Sequence, residues 1–330
     1  MFRRLNSIIW PLGLALILLI GACAPAVTPT LVPPTVRPTF SPTASPTNQP
    51  PAAPLTLTDG LSHTIQLSTP PQRIISLAPS NTELVFAIGA GAQLIGREAL
   101  SDYPAEAAKV TSIGSAYDKL NTEAIVALKP DLILAAEITS PDQVKSLQGL
   151  DLTVYRLPNP KTYDDLYQNI KTVGQITGQI DGAQKLIDAL KTRFAAVIDK
   201  VKGATTRPTV FYEVDGTDPT KPWTSGPGTF LDTVITLAGG QNVRRVLKDT
   251  FAQVSSEELI KQNPDIIILG DTLYGVTIES ISQRAGWTSI AAVKNKAIYS
   301  FDDNLLSRPG PRLIDGLEQM AKLLHPELFK

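Results

Sequence analysis

A segment that occurs twice, at 120–135 and at 254–269, constrains the fold of this chain more than any other feature. In both copies a glutamate, Glu123 or Glu257, lies seven residues before a proline, and a Pro-Asp pair then opens an apolar strand. Each copy predicts a helix cap, a short amphipathic helix and a strand. A tandem repeat of this kind indicates two similar α/β lobes, and continuous apolar strands belong in parallel sheets that helices cover on both faces.

The segments around the repeat support the same architecture. A short helix predicted at Leu84–Ile88, capped by the polar cluster before it, has a counterpart at Leu231–Leu237, and a glycine follows each helix. Alternating strands on either side of Asp59-Gly60 predict a hairpin in which Asp-Gly supplies the left-handed turn residues. The loops after the strands at Leu77, Ile113 and Tyr212 should line a cleft, because ligands of open α/β sheets sit beyond the carboxyl ends of the strands.

A helical pattern connects the two lobes. Apolar residues recur at helical spacing from about Asp181 to Val201, with lysines and aspartates between them, and Gly203 ends the pattern. A single rigid helix of roughly 30 Å would limit how far the lobes can swing.

The first residues indicate secretion. A basic stub precedes an apolar run of about a dozen residues, which is too short to span a bilayer and is typical of a signal peptide. Small residues then precede Cys23, the single cysteine, in a pattern similar to the bacterial lipobox. We expect cleavage before Cys23 and lipidation of its thiol, which would anchor the protein to the membrane. The alternative is an ordinary signal peptide that ends at Ala22 and leaves a free thiol.

A proline-rich stretch separates Cys23 from the globular part. From Ala24 to Pro54 about every third residue is proline, interleaved with threonine, serine and alanine. This composition favours an extended stalk, and a ligand for a proline-recognising module is the alternative. The predicted order is a signal peptide (1–22), lipidated Cys23 with its tether (23–54), an N-terminal lobe (55–162), a connecting backbone helix (163–203) and a C-terminal lobe (204–330).

Composition excludes several classes of partner and site. The net charge of −1 provides no field for nucleic acid or an anionic membrane. One cysteine and two histidines exclude a disulfide framework and a metal site with several histidine or cysteine ligands. We therefore expect no resident metal and no cofactor, and we expect a monomer. His63 and His325 are expected to be surface or structural residues.

Several strings, taken in order, resemble the helical-backbone class of ABC-importer receptors, which includes carriers of cobalamin, ferric siderophores and haem. The similar strings are Arg73–Glu83, Ser101–Pro104, Asn121–Glu123, Lys129–Asp131, Trp223–Gly226, Ala238–Asn242, Gln253–Glu257 and Arg308–Arg312. The resemblance covers about Leu55 to Lys330 and is strongest to the cobalamin-binding branch. It implies two Rossmann-like lobes with parallel-rich sheets, joined by a long backbone helix, with the ligand in the cleft between them.

The resemblance also implies a docking role for the repeated glutamates. In this family a glutamate of each lobe pairs with arginines of the permease, and Glu123 and Glu257 occupy those positions. Two carboxylates at equivalent sites of pseudo-symmetric lobes can meet two symmetric subunits at once. A first-turn glutamate favoured by the helix dipole is the alternative, and the two interpretations are compatible. The partners so implied are an ABC permease and its ATPase subunits.

The ligand candidates come from the same resemblance. They are Tyr117, Trp223, Phe251, Arg308, Asn304 and Leu100. Aromatic rings with a few hydrogen-bond donors suit the broad apolar face and amide edge of a corrin. Phe251 could instead be a core residue, and Arg308 could brace the turn that follows it. Leu100, Ala136 and Asn304 depart from the cobalamin pattern, where an aromatic, a bulky ring and an acid would stand.

Other ligands and one other class of function are alternatives. A ferric siderophore would require several arginines, for which Arg97 and Arg308 are the candidates, and haem would require an axial ligand such as Tyr103, Tyr117 or Tyr212. A surface-anchored hydrolase is the alternative from another class, but neither a nucleophile elbow nor a phosphate-binding glycine loop occurs in the sequence. The expected function is therefore capture of cobalamin or a related corrinoid outside the cytoplasm, without enzymatic activity.

Overall fold

The computed structural model describes residues 54–117, 119–243 and 249–330. The predicted signal peptide, Cys23 and nearly all of the tether lie outside these residues. No helix of the described ranges combines the length and apolar character needed to cross a membrane.

The described residues alternate between strands and helices. The strands are β1 (Leu55–Thr58), β2 (Thr64–Leu67), β3 (Ile74–Ser76), β4 (Leu94–Arg97), β5 (Thr111–Ser112), β6 (Leu132–Ala135), β7 (Val154–Arg156), β8 (Thr209–Glu213), β9 (Trp223–Ser225), β10 (Gln241–Asn242), β11 (Phe251–Gln253), β12 (Ile266–Leu269) and β13 (Ile298–Ser300). The helices are α1 (Pro79–Ala87), α2 (Thr122–Ala127), α3 (Pro141–Gln148), α4 (Tyr163–Thr177), α5 (Ile180–Val201), α6 (Phe230–Leu237), α7 (Ser256–Gln262), α8 (Ile278–Ser282), α9 (Ala291–Lys294), α10 (Asn304–Ser307) and α11 (Leu313–Leu324).

Each lobe is built on a parallel sheet. In the N-terminal lobe the strand order is β5-β4-β3-β6-β7, and in the C-terminal lobe it is β10-β8-β12-β13. The central strands β6 and β12 are buried along their whole length, as expected for strands covered on both faces. The predicted fold class, two α/β lobes with parallel-rich sheets, is confirmed.

The repeat is structurally equivalent in the two lobes. Lys129 and Asn263, the residues before each proline, both adopt the left-handed conformation with φ of 47°. The aspartate after the proline then holds the start of the neighbouring strand: Asp131 accepts hydrogen bonds from the amides of Gln72 and Arg73, and Asp265 accepts one from the amide of Thr209. The Pro-Asp pair therefore fixes the register between β3 and β6 in the N-terminal sheet and between β8 and β12 in the C-terminal sheet.

Two helices, rather than one, occupy the connecting segment 163–203. Gly178 ends α4 in the left-handed conformation (φ 74°), and α5 follows and packs against α4. The helix predicted from about Asp181 to Val201 is confirmed as α5, whereas the first half of the segment forms the separate helix α4.

Two local predictions were wrong. Helix α1 begins at Pro79, not at Leu84, because proline at the first helical position already has helical φ. The polar cluster that was expected to cap α1 is therefore inside the helix, and it is buried. In the N-terminal hairpin the left-handed residue is Ser62, because Asp59 Oδ1 accepts hydrogen bonds from the amides of Leu61 and His63 and closes the turn itself.

A buried ion pair lies at the carboxyl end of the C-terminal sheet. Glu213, the last residue of β8, accepts two hydrogen bonds from Arg284, at 2.5 and 2.8 Å, and the ring of Trp287 lies 4.5 Å from the Arg284 guanidinium. Burial raises the pKa of Glu213, and the hydrogen bonds from Arg284 oppose that rise. The pairing of β8 with β12 corresponds to the pairing of β3 with β6 in the N-terminal lobe, and by this correspondence Glu213 is equivalent to Leu77. The two lobes therefore have a charged residue and an apolar residue at the same position.

Candidate functional site

The loops at the carboxyl ends of the two sheets enclose a continuous cleft. Its first compartment, about 600 Å³, lies between the loops that follow β3, β6 and β12 and the start of α10. Its second compartment, about 470 Å³, lies between α6, β11 and the end of α10. The compartments share four residues, Glu137, Asn159, Ser307 and Pro309. The cleft is therefore large enough for a ligand of tetrapyrrole size.

Four of the six predicted ligand residues line the first compartment. Tyr117, Leu100, Asn304 and Arg308 all contribute to its walls, and Tyr117 and Leu100 are each about half exposed. Pro79 and Ser80, which follow Leu77, and Tyr117, which follows Ile113, lie in this wall. The loops after Leu77 and Ile113 therefore face the cleft, as predicted.

Two aromatic candidates lie on one face of the small sheet β9–β11. Phe251 lines the second compartment. The antiparallel register pairs Trp223 with Gln253 and Phe251 with Ser225, so Trp223 and Phe251 are diagonal neighbours on the same face. Trp223 lines neither compartment, but 42% of it is exposed beside Phe251. Phe251 is also exposed, and the interpretation that it is a core residue is wrong.

Several cleft residues were not predicted from the sequence, and two of them are exposed side chains of the C-terminal lobe. Leu273 and Tyr274 lie in the turn after β12 and line the first compartment, and 86% of Tyr274 is exposed. Their position directly after a central parallel strand is the signal that could have identified them.

Four charged side chains at one wall of the first compartment connect the lobes. Arg312 donates to both carboxylate oxygens of Glu83, at 2.6 and 2.8 Å, and its guanidinium lies 4.2 Å from the ring of Tyr103. Arg308 donates to Asp102 at 2.5 Å and lies 3.6 Å from Glu83. Glu83 and Asp102 belong to the N-terminal lobe and both arginines to the C-terminal lobe. We call these four residues the interlobe ion cluster.

Burial and the ion pair between Arg308 and Asp102 shift the pKa values of several groups at this wall of the cleft. The hydrogen bond from Arg308 lowers the pKa of Asp102. Burial raises the pKa of Tyr117, and the charge of Glu98 raises it further. Burial also raises the pKa of Glu98, whose Oε1 accepts a hydrogen bond from Ser101. Arg308 thus lines the cleft and is at the same time bonded to the Asp102 carboxylate.

Other candidates have structural partners. Arg97 does not face the cleft as expected, because its guanidinium donates to the backbone carbonyls of Ala107, Glu98 and Ala99. The hydroxyl of Tyr212 donates to Asp303 at 2.7 Å, and Tyr212 is buried. His325 is buried against the carbonyl of Gly239, whereas His63 is exposed on the hairpin. In the described ranges no cluster of three or more His, Cys, Asp or Glu side chains is arranged to hold a metal ion.

The repeated glutamates occupy equivalent positions. Glu123 and Glu257 are each the second residue of a short helix, after the N-caps Asn121 and Ser255, whose side chains accept hydrogen bonds from backbone amides. Both glutamates are exposed, and neither forms a salt bridge within the described residues.

A family model described as periplasmic binding protein matches residues 74–305, which include the parallel sheet of each lobe and all of the cleft except residues 306–309. The chain belongs to the periplasmic binding protein family. It is an α/β substrate-binding protein of the ABC-transporter type, from a family of solute-binding, non-enzymatic proteins, and it functions outside the cytoplasm.

Three related proteins illustrate this membership. The chain is 32% identical to the uncharacterised ABC transporter substrate-binding lipoprotein YvrC of Bacillus subtilis, over 84% of this chain and 87% of YvrC. It is 31% identical to the vitamin B12-binding protein of Pectobacterium atrosepticum, over 77% of this chain and 88% of that protein. The solved periplasmic heme-binding protein RhuT of Roseiflexus sp. RS-1 is 25% identical, with a TM-score of 0.70 over 78% of this chain and 99% of RhuT.

Proposed function

We propose that this protein captures cobalamin or a related corrinoid outside the cytoplasm and delivers it to an ABC permease and its ATPase subunits. The observation that supports this ligand most directly is the make-up of the cleft. Exposed aromatic and aliphatic side chains (Tyr117, Phe251, Leu100 and Tyr274) lie beside amide and hydroxyl groups such as Asn159 and Ser307. This combination suits a flat apolar ring that carries amides at its edge. The similarity to a vitamin B12-binding protein supports the same ligand.

Haem is the second candidate, because RhuT shares the fold. Of the three tyrosines considered as axial ligands, Tyr212 is buried in a hydrogen bond to Asp303, and the ring of Tyr103 lies against Arg312. Tyr117 lines the cleft, but its raised pKa opposes the deprotonation that ligation of ferric iron requires. None of these three tyrosines is therefore well suited to be an axial ligand of haem.

The binding experiment separates these ligands. Purified protein is titrated calorimetrically with cyanocobalamin, haemin and a ferric hydroxamate. We expect saturable 1:1 binding of cyanocobalamin and weaker binding of the two iron compounds. Tight binding of haemin or the hydroxamate with none of cyanocobalamin would contradict the proposed ligand.

Docking on the permease is proposed to involve Glu123 and Glu257. Two exposed carboxylates at equivalent helix positions, without salt-bridge partners in the described residues, are suited to pair with basic groups of two permease subunits. The protein would act as a monomer, because one copy already provides both carboxylates.

Membrane anchoring through Cys23 is the remaining part of the proposal. The relative YvrC is named as a lipoprotein, and small residues precede Cys23 in this chain. Cells expressing the protein would be labelled with an alkyne fatty acid. We expect the label on the wild-type chain and none on Cys23→Ser. Equal labelling of both would contradict lipidation at this residue.

A further inference from the structure

The charge of Arg308 is already compensated within the protein. Its side chain is 13% exposed and lines the first compartment of the cleft. It donates to Asp102, whose side chain is 70% exposed, at 2.5 Å. A charge-assisted bond to a guanidinium of this kind is about twice as strong as a neutral hydrogen bond. A ligand that enters the cleft therefore meets an arginine whose acidic partner is already in place.

Glu83 is a weaker partner of Arg308 than Asp102 is. Both of its carboxylate oxygens accept hydrogen bonds from Arg312, and Arg308 lies farther away, at 3.6 Å. The interlobe ion cluster thus contains two carboxylates and two guanidinium groups, and its formal charges cancel. If Asp102 lost its charge, the ion cluster would carry a net charge of +1, and Arg308 is its arginine that faces the cleft.

The other charged side chains of the cleft add no second site for an anion in the first compartment. Among the described residues that line the two compartments, the acids are Asp102, Glu137 and Asp303, and the bases are Arg308 and Lys161. Lys161 lines the second compartment alone. Glu98 is fully buried near Arg308 and adds another carboxyl beneath this wall.

We propose that Asp102 is a specificity-determining residue: by neutralising Arg308 it makes the cleft select a neutral, amide-bearing ligand over an anionic ligand of the same shape. This inference rests on the proposed function and extends it to the charge of the ligand. An anionic group that approached Arg308 would either displace Asp102 or lie beside its carboxylate, and in both cases the negative charge of Asp102 would repel it. A neutral amide can accept a hydrogen bond from Arg308 without displacing its partner, because a guanidinium has five N–H donors.

The test uses ligand pairs that differ in charge and hardly in shape. Cyanocobalamin is compared with each of three monocarboxylates in which one propionamide has been hydrolysed. Haemin is compared with its dimethyl ester. In this pair the parent compound carries the carboxylates and the derivative lacks them, which is the reverse of the cobalamin pairs. Dissociation constants are measured by calorimetry for the wild type, Asp102→Asn and the control Asp199→Asn. Asp199 is matched to Asp102, because its side chain is also 70% exposed and paired with a cation, Lys202, but it lies on α5 outside the residues that line the cleft.

We expect the wild type to bind the neutral member of a pair at least tenfold more tightly than the anionic member. Asp102→Asn should reduce that ratio by at least tenfold for one of the carboxylates, and Asp199→Asn should leave it unchanged. Asp102→Asn should increase the affinity for the anionic ligand. That increase should be absent from the double variant Asp102→Asn/Arg308→Gln, because it is assigned to the positive charge of Arg308.

The outcomes separate this inference from the proposed function. If cyanocobalamin binds but Asp102→Asn leaves every ratio unchanged, the charge-selection role is wrong and the receptor function stands. If only the haemin pair binds, the corrinoid ligand is wrong, and the ratio within that pair still tests Asp102. A wild-type protein that prefers the anionic member of its pair would overturn the inference outright.

Discussion

The two lobes share a scaffold but present different side chains to the cleft. Lys129 and Asn263 have the same left-handed φ, and Glu123 and Glu257 occupy the same helix position. In the cleft, however, the N-terminal lobe supplies the acids of the interlobe ion cluster, whereas the C-terminal lobe supplies its arginines and the aromatic face of β9–β11. The duplicated parts are those that a symmetric partner would contact, and the divergent parts are those that an asymmetric ligand would contact.

Charge reversal at the two equivalent glutamates tests the shared part of the scaffold and has the largest expected effect. Glu123→Lys/Glu257→Lys should reduce ligand uptake in cells to background, because the two introduced ammonium groups would repel basic groups of the permease. The affinity for ligand should not change, since neither residue lines the cleft. Uptake of labelled ligand and calorimetry provide the two readouts.

The control is Asp188→Lys/Asp199→Lys, a double reversal on exposed positions of α5. It adds the same charge and should leave uptake intact. A loss of affinity in the glutamate variant, or equal loss of uptake in the control, would contradict the docking assignment.

A second prediction concerns the core position that Glu213 occupies in the C-terminal lobe and Leu77 in the N-terminal lobe. Arg284→Ala would leave Glu213 buried without its partner and should lower the free energy of unfolding by about 3–5 kcal/mol. Replacing the pair with apolar residues, Glu213→Leu/Arg284→Met, should restore most of that loss, because the N-terminal lobe has the apolar Leu77 at the corresponding position. Urea denaturation measures both effects. A loss below 1 kcal/mol for Arg284→Ala would show that the pair is not structurally important.

The aromatic face of the C-terminal lobe should contribute more to binding than the aliphatic part of the opposite wall. Trp223→Ala should weaken ligand binding by more than about 1 kcal/mol, as is usual for loss of an aromatic anchor. Leu100→Ala on the N-terminal wall should have a smaller effect, because it removes less contact area. Leu150→Ala provides the control, since Leu150 is exposed but lines neither compartment. Unchanged affinity in Trp223→Ala would place this residue in the scaffold.

The smallest expected effect is the pH dependence of the contact between Arg308 and Asp102. The pKa of Asp102 is lowered in the folded protein by its hydrogen bond from Arg308, so its contribution to stability is present at neutral pH and is lost as the pH falls through that pKa. Because Asp102 is largely exposed, Asp102→Asn should lower the free energy of unfolding by only about 0.2–1 kcal/mol at pH 7. The difference in the free energy of unfolding between wild type and variant, measured by urea denaturation, should shrink below about pH 4. A difference that grows in acid would contradict the ion pair.

Local sequence patterns predicted the elements whose causes are local. The repeat, its Pro-Asp breaks and the helix from about Asp181 to Val201 depend on residues a few positions apart, and the structure confirms them. The resemblance to the receptor family predicted Tyr117, Leu100, Asn304, Arg308 and Phe251, which do line the cleft. Their contact with a ligand remains a prediction.

The features that the sequence did not reveal depend on contacts across the chain. The polar segment of α1 can be buried because Glu83 meets Arg312, which is 229 residues away along the sequence. Arg97 is satisfied by carbonyls of a loop whose path no pattern fixes. Asp102 is paired with Arg308 only because the two lobes face each other at this point.

The central claim is that one ligand lies between the lobes and contacts both of them. The most direct measurement is a crystal structure of the full chain with cyanocobalamin. We predict one corrinoid in the cleft, with Tyr117 on one side and Phe251 or Tyr274 on the other, and with Asp102 still bonded to Arg308. A ligand bound to the surface of a single lobe, or a cleft that stays empty at saturating cyanocobalamin, would contradict this account.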